Sequence, residues 1–227
     1  AIIADDNSII ASVGDFGIVK VNQSGDLVWQ TNETYIFDAV VQHSDGNYIF
    51  VDGSYIIKID SSGNVISRNN DEDFYLSGWG ADVIELSNGN IAILTEQHLS
   101  DNNGTGYDQP AIIIFDSNLN FITKKTLHPI EESVNEGYVN LGRNGSIAQS
   151  IDGGLIIAGN YDIKNNNTER AFIVKLNANL DYEWVSTFGA DPYGGFEGGM
   201  HFLYPFYVTE LDNQNIRIGC RVYAASS

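Results

Sequence analysis

Short apolar runs recur along this 227-residue chain, and tight polar turns separate them. The clearest copy of the pattern, residues 151–189, holds an Asp152-Gly153-Gly154 turn, two apolar runs, a second turn and a final run containing Trp184. Asp-Gly and Asn-Gly pairs between such runs predict two-residue hairpins, because both central residues of these turns adopt positive φ. Apolar residues nowhere keep a helical period, so we expect essentially no helix.

The runs group into a repeated unit of four strands, with tight turns after the first and third strands. The first turn of each unit falls at 5–7, 44–46, 87–89, 151–153 and 211–213. Tandem four-stranded antiparallel units are typical of a β-propeller, in which each sheet buries its faces against its neighbours. We therefore predict an all-β propeller of four-stranded antiparallel blades, with five or more blades in the intact ring. A solenoid and a pair of sandwiches are the alternatives.

The repeats predict a single domain over residues 1–227. Its blades cover approximately 1–31, 36–70, 79–127, 145–188 and, as a partial blade, 205–227. The fifth unit has only two strands, and unpaired strand edges promote aggregation. Three explanations are open: the chain is a fragment of a longer one, a neighbouring chain completes the fifth blade, or the ring closes without the missing strands. We favour a fragment.

Three repeat segments carry a resemblance to known proteins: IVKVNQSGDLVWQ, IIKIDSSGNVISR and AFIVKLNANLDYEWVSTFG. They resemble the degenerate β-propeller repeats of exported bacterial proteins and, more weakly, the quinoprotein-like repeat with its Gly turn and following Trp. Trp29 and Trp184 keep that Trp, whereas Ile66 and Ile122 lie near the corresponding place in the other two units. The resemblance therefore implies a fold, and it carries over no cofactor residues.

The net charge of −19 excludes nucleic acid and an anionic membrane surface as favoured partners, because both would repel the chain. The single Cys220 excludes an intrachain disulfide. No apolar run is long enough to insert into a membrane. The chain opens on Ala1 without a signal peptide, which predicts a processed or trimmed product that is extracellular, attached to the cell surface or periplasmic.

The longest connections all belong on one face of the predicted disc, here called the loop-rich face. They are 67–79, 96–110, 126–145, 160–170 and 187–205, and one-sided long loops indicate function. Aromatic rings there stack on sugars or peptide side chains. We expect a non-catalytic propeller that binds a glycan or a protein, unless these rings only pin the loops. The predicted ligand-binding residues are Tyr75, Trp79, Tyr107, Tyr138, Tyr193, Phe196, His201 and Tyr204.

Two alternatives to the binding function are open. A carbohydrate-active enzyme would use paired carboxylates from Asp38, Asp82, Glu136 and Glu197. Asp38 lies one residue out of register with Asp82, so the two side chains should point to opposite faces. A structural or assembly subunit would have no pocket.

Metal and cofactor chemistry has little support in the sequence. Asp101, Asn103 and Asp108 form a weak calcium candidate, since the closing acidic ligand of a calcium loop is missing. The four histidines, at 43, 98, 128 and 201, show no zinc-binding spacing. We predict no resident cofactor, and we single out His201 as the histidine most typical of a site.

Overall fold

The computed structural model describes residues 1–14, 17–33, 37–52, 55–69, 82–100, 106–128, 137–140, 145–163, 168–188, 201–212 and 214–224. Apart from one 3₁₀ residue at Gly14, the secondary structure assigned within these ranges consists of β-strands and turns, and every strand pairing is antiparallel. Within the described residues the strands form three four-stranded sheets, a fourth sheet whose first strand is divided in two, and a two-stranded hairpin. The predicted all-β propeller of four-stranded blades is confirmed.

The strands follow the chain order within each blade. The first blade contains β1 (Ile2–Ile3), β2 (Ile9–Ser12), β3 (Ile18–Val21) and β4 (Leu27–Gln30). The second contains β5 (Ala39–Gln42), β6 (Tyr48–Asp52), β7 (Tyr55–Ile59) and β8 (Val65–Asn69). The third contains β9 (Asp82–Glu85), β10 (Ile91–Ser100), β11 (Gly106–Phe115) and β12 (Phe121–Thr126).

The fourth blade has a divided first strand. It contains β13 (Gly137–Asn140), β14 (Ser146–Gln149), β15 (Leu155–Ile163), β16 (Thr168–Leu176) and β17 (Tyr182–Phe188). Both β13 and β14 pair with β15, one beyond the other along its length. A two-stranded hairpin of β18 (His201–Glu210) and β19 (Ile216–Ala224) follows.

Apolar side chains fill the space between successive sheets. Phe50 lies in the cluster shared by the first and second blades, Phe115 in that of the second and third, and Phe172 in that of the third and fourth. All three rings are fully buried. Val208 of the hairpin completes a fourth cluster against the fourth blade. Burial of a large side chain contributes about 1.5–3 kcal/mol, so this stacking is the main source of stability.

The antiparallel order sorts the connections onto two faces. The turns between first and second strands and between third and fourth strands lie on one face, here called the tight-turn face; the remaining connections lie on the loop-rich face. The first turns share one backbone feature, a left-handed residue at a fixed position: Asn7, Gly46, Gly89, Gly153 and Gln214. The prediction of two-residue hairpins with positive φ at both central residues is therefore wrong: these are three-residue loops in which, among the described residues, only the last is left-handed. Gln214 also lies one residue beyond the predicted fifth turn, 211–213.

Buried lysines brace the tight-turn face at one repeat position. Lys20, Lys58 and Lys175 are each about 5% exposed, and their ammonium groups bind Asp6, Asp45 and Asp152 of the first turns. Lys58 also donates to the Ser117 carbonyl of the next blade, at 2.7 Å. A buried ammonium requires such partners, because its desolvation is otherwise uncompensated.

Asp45, the partner of Lys58, makes the stability of the fold sensitive to acid. Burial of Asp45 opposes ionisation, but hydrogen bonds from Lys58, the Asn47 backbone N–H and His43 outweigh it and lower the pKa of Asp45 to about 2. A carboxyl with a folded pKa below its unfolded value of 3.8 stabilises the fold above that value. This stabilisation is lost as the pH falls through the folded pKa.

We expect Asp45→Asn to lower the urea midpoint at pH 7 and to flatten its dependence on pH between about 4 and 2. Asp5→Asn, in the equivalent turn of the first blade, is the matched control and should follow the wild-type pH profile. Urea unfolding by circular dichroism at several pH values measures both. Parallel profiles for Asp45→Asn and the wild type would contradict the assignment.

The second turns match residue size across the blade interface. Trp29 lies over Gly63 of the second blade, where an added Cβ would come within 2.9 Å of the indole Cδ2. The indole Nε1 donates to the Ser61 carbonyl at 2.9 Å. In the next interface the register places Ser67 at the Trp position, and Leu119 occupies the Gly position. A large residue thus faces glycine, and a small residue faces leucine.

We expect Trp29→Ser and Gly63→Leu each to destabilise the protein, the second through overlap with the indole. The double variant reproduces the Ser67–Leu119 pair and should be more stable than the sum of the single effects by about 1–3 kcal/mol. A double-mutant cycle in urea measures the coupling. Additivity within about 0.5 kcal/mol would show that the two residues do not depend on each other.

Candidate functional site

The structure describes only part of the predicted ligand-binding set. Tyr75, Trp79, Tyr193 and Phe196 lie outside the described residues, as do the carboxylates Glu136 and Glu197 and the calcium candidates Asp101 and Asn103. The remaining predicted residues are placed by their backbone alone, in strands: Tyr107, Asp108, Tyr138, His201 and Tyr204. Their membership of one site stays a prediction.

Two of the predicted long loops are largely strand, which corrects the sequence-based boundaries. Residues 96–100 and 106–110 extend the β10–β11 hairpin, and 160–163 and 168–170 extend the β15–β16 hairpin. Tyr138, expected in a loop, lies in β13 and pairs with Asp162. Hairpin extension satisfies backbone groups that a loop would leave to water. The loop-rich face of the third and fourth blades therefore carries projecting ribbons.

Asp38 and Asp82 occupy different environments. Asp82 lies opposite Leu94, the fourth residue of β10, and Ala39 lies opposite Val51, the fourth residue of β6. Ala39, and not Asp38, therefore has the register position of Asp82. Asp38 is exposed at the entrance to β5. The two carboxylates are therefore not a matched pair across adjacent blades.

Asp82 joins the first strands of the third and fourth blades. Its carboxylate accepts the Val83 N–H at 2.9 Å and the Ile147 N–H of β14 at 3.0 Å. Burial raises the pKa of the Asp82 carboxyl, despite these hydrogen bonds and one from Ser146. Ser146 has the equivalent position in β14, and its hydroxyl accepts the Val208 N–H at 3.2 Å. The Asp82 carboxylate thus links β9 to β14, the first strands of neighbouring blades.

Three buried polar side chains lie toward the loop-rich ends of the third and fourth blades, and strand alternation turns them toward different neighbours. Glu96 shares the face of Leu94, toward the fourth blade, Gln109 that of Ile113, toward the second blade, and Asn160 that of Ile156, toward the hairpin. Glu96 is 3% exposed, Asn160 2% and Gln109 fully buried. Glu96 and Asn160 share one repeat position, since each is the sixth residue of the second strand of its blade. Among the described residues, neither the Nε2 nor the Oε1 of Gln109 has a hydrogen-bond partner. An unsatisfied buried amide is costly, so this group is a candidate for ligand contact.

The sequence analysis missed these three residues because it placed them within, or at the start of, the connections 96–110 and 160–170. A signal was present: Glu96 and Asn160 each lie two residues after a fully apolar run, 91–94 and 155–158, at the same place in two successive units. Polar residues at a fixed repeat position indicate a common structural environment. Recognising it required extending the strands beyond the apolar run.

The cationic side chains with ion pairs on the tight-turn face do not contribute to this group. Lys20, Lys58 and Lys175 are held there by aspartates. His43 is also buried there, and its ring contacts the Gly89 carbonyl at 3.0 Å. His98 lies in β10, two residues after Glu96, and His201 opens β18. These two histidines are at the loop-rich ends of their strands.

Within the ranges that the structure describes, no three His, Cys, Asp or Glu side chains are grouped as metal ligands. In the same ranges, no helix has the length and apolarity needed to cross a membrane.

Comparison with known protein families decides the relationship. The sequence profile of the family described as arylsulfotransferase (ASST) matches residues 3–139, which is more than half of the chain. The chain belongs to the arylsulfotransferase family. The match covers the first three blades and β13, and therefore includes Glu96, His98 and Gln109. No curated protein sequence matches the chain.

This family assignment corrects the predicted function. A non-catalytic binding propeller was expected from the one-sided loops and their aromatics, and that expectation is wrong, because the family is named for an enzyme. The enzyme alternative was also misdirected, since it invoked glycoside chemistry, on Asp38, Asp82, Glu136 and Glu197, and not sulfuryl transfer. Long aromatic loops are common to binding and catalytic sites, so they did not distinguish the two.

Solved structures similar to this arylsulfotransferase-family chain share its fold. A protein of unknown function from Bacteroides caccae is 13% identical with a TM-score of 0.51, over 96% of this chain and 73% of that one. The extracellular domain of a protein described as a hybrid two-component system, from B. thetaiotaomicron, is 11% identical with a TM-score of 0.52. That alignment covers 98% of this chain and 27% of the other.

Proposed function

We propose that the chain transfers sulfuryl groups between aryl sulfates and hydroxyl acceptors, at the loop-rich ends of the third and fourth blades. The observation that carries this proposal is the arylsulfotransferase family match over residues 3–139. We place the protein outside the cytoplasm of a bacterium. The similar structure of an extracellular domain supports this location.

Sulfuryl transfer defines what the site must supply. The sulfur–oxygen bond of the donor breaks, a new sulfur–oxygen bond forms to the acceptor, the acceptor hydroxyl loses its proton and the departing phenolate gains one. A carboxylate and an imidazole are suited to these proton transfers. Glu96 and His98 supply both types within three residues of β10, and both lie inside the range matched by the family.

The sulfuryl oxygens need hydrogen-bond donors. Gln109 has a buried amide without a partner among the described residues, but it pairs with Gln97 and so lies on the opposite face of the β10–β11 hairpin from Glu96. The donors that act together with Glu96 must therefore come from other residues of the loop-rich face. Buried, preorganised donors stabilise developing negative charge more strongly than donors in water. Neutral donors suit this chain, since its buried lysines are bound to aspartates on the opposite face.

We expect the protein to transfer sulfate from p-nitrophenyl sulfate to phenol, with p-nitrophenol release measured by absorbance and phenyl sulfate by mass spectrometry. Glu96→Gln and His98→Asn should each lower kcat/KM by about 100-fold or more, because each removes a proton-transfer group. Glu183→Gln is the matched control. It makes the same chemical change beside Lys175 on the tight-turn face, and should leave the rate unchanged.

The pH dependence separates a chemical role from a structural one. Loss of one titrating group should remove one limb of the pH–rate profile, whereas a merely destabilised protein keeps the profile shape. Absence of transfer by the wild-type protein would contradict the proposed function. Equal rates for Glu96→Gln, His98→Asn and Glu183→Gln would contradict the proposed site.

A further inference from the structure

A cleft of about 300 Å³ opens on the tight-turn face between the third and fourth blades. Its walls include Leu86, Ile114, Leu155 and Leu180, which continue the apolar cluster between these sheets. It lies at the opposite end of the strands from Glu96 and Gln109. The cleft is therefore separate from the site proposed for sulfuryl transfer.

The cleft exists because the third blade lacks the lysine–aspartate pair. In the strand register, Lys58 lies opposite Ser67 in the second blade, and Ile114 lies opposite Thr123 at the same place in the third. Ile114 therefore occupies the lysine position. Asn88 likewise replaces the aspartate of the first turn. At the preceding interface Lys58 reaches the Ser117 carbonyl of the next blade. Ile114 is too short and too apolar to do the same, and space remains.

The third blade also lacks the tryptophan of the first. Thr123 has the register position of Trp29, whose indole covers the second turn of the following blade. At the cleft that turn contains Ala178, Asn179 and Leu180. Ala178 occupies the turn position of Ser61, whose carbonyl accepts the indole N–H of Trp29. Thr123, at the tryptophan position, has no indole N–H to donate to the Ala178 carbonyl.

The cleft lining determines which ligand chemistry fits. None of its lining residues has an ionisable side chain, so it offers no counter-ion to a sulfate, phosphate or ammonium group. Asparagines form the polar rim. The Asn88 and Asn177 Oδ1 atoms accept backbone N–H groups of their own turns, which leaves their Nδ2 groups as donors. Asn90 and Asn179 add further amides.

We propose that this cleft binds a small uncharged ring that carries hydroxyl groups. The ring packs on Leu180 and Ile114, and its hydroxyls exchange hydrogen bonds with the asparagine amides. The volume lies at the lower end of the range of about 300–1,000 Å³ for small-molecule sites and accommodates one ring. A phenol and a monosaccharide share this chemistry. This inference does not depend on the sulfuryl-transfer proposal.

Protein-observed NMR of the full chain tests the proposal with three ligands: phenol, methyl glucoside and p-nitrophenyl sulfate. Phenol, methyl glucoside or both should shift the amide signals of residues 88–90 and 177–180 in a saturable manner. The phenol and glucoside arms distinguish an aryl site from a sugar site. The anionic p-nitrophenyl sulfate should leave these amides unchanged.

Two variants locate the binding. Asn88→Asp with Ile114→Lys restores the pair found in the other three blades, so it should fold and abolish the saturable shifts. Asn179→Ala should weaken binding about fivefold through loss of a hydrogen bond. Asn118→Ala, at the equivalent position of the third blade, is the matched control and should bind as the wild type does.

Three results would overturn the proposal: no saturable shift with phenol or methyl glucoside, equal shifts with p-nitrophenyl sulfate, or unchanged binding by the Asn88→Asp/Ile114→Lys variant. If that variant does not fold, Asn179→Ala decides the matter, and wild-type binding by Asn179→Ala then refutes the site. Glu96→Gln should retain binding in the cleft, which keeps this test distinct from that of catalysis.

Discussion

Contact between successive sheets is the constraint on which the rest of this structure depends. Apolar faces supply the energy, and a repeated hydrogen bond sets the position of each blade against the next. In four of the units, the side chain of the residue that ends the first strand accepts a backbone N–H from the first turn of the preceding blade, at 2.7–2.8 Å. The four acceptors are Gln42, Glu85, Gln149 and Glu210. Ile3 holds this position in the first blade and is 75% exposed.

This arrangement divides the molecule into two chemical environments. On the tight-turn face, side chains such as Asp60 and Asp116 satisfy the backbone N–H groups of their own turns. Each lysine–aspartate pair lies within one blade, and the ammonium groups of Lys20 and Lys58 also bond to the next blade. On the loop-rich face, longer hairpins carry the buried polar side chains of Glu96, Gln109 and Asn160. A rigid base with variable connections is the usual setting for catalysis. The cleft between the third and fourth blades lies where Ile114 and Asn88 replace the lysine and aspartate of the other blades.

The fold was largely predictable because turn chemistry is local. Positive φ at Gly46, Gly89 and Gly153 follows from Asp-Gly and Asn-Gly dipeptides, and it places the strands between them. The site was less predictable because burial of Glu96 and Gln109 depends on ribbons whose polar sequence is typical of loops. Size matching between blades likewise depends on residues far apart in sequence. Aromatic residues in the connections were a poor guide, since they do not separate binding from catalysis.

Hydrogen–deuterium exchange with and without p-nitrophenyl sulfate tests most directly whether chemistry belongs to the loop-rich ends of the third and fourth blades. The account predicts slower exchange at 95–100, 106–111 and 158–163 when the aryl sulfate binds, and unchanged exchange in the tight turns at 44–47 and 61–64. Protection confined to the tight-turn face, or uniform across the blades, would contradict it.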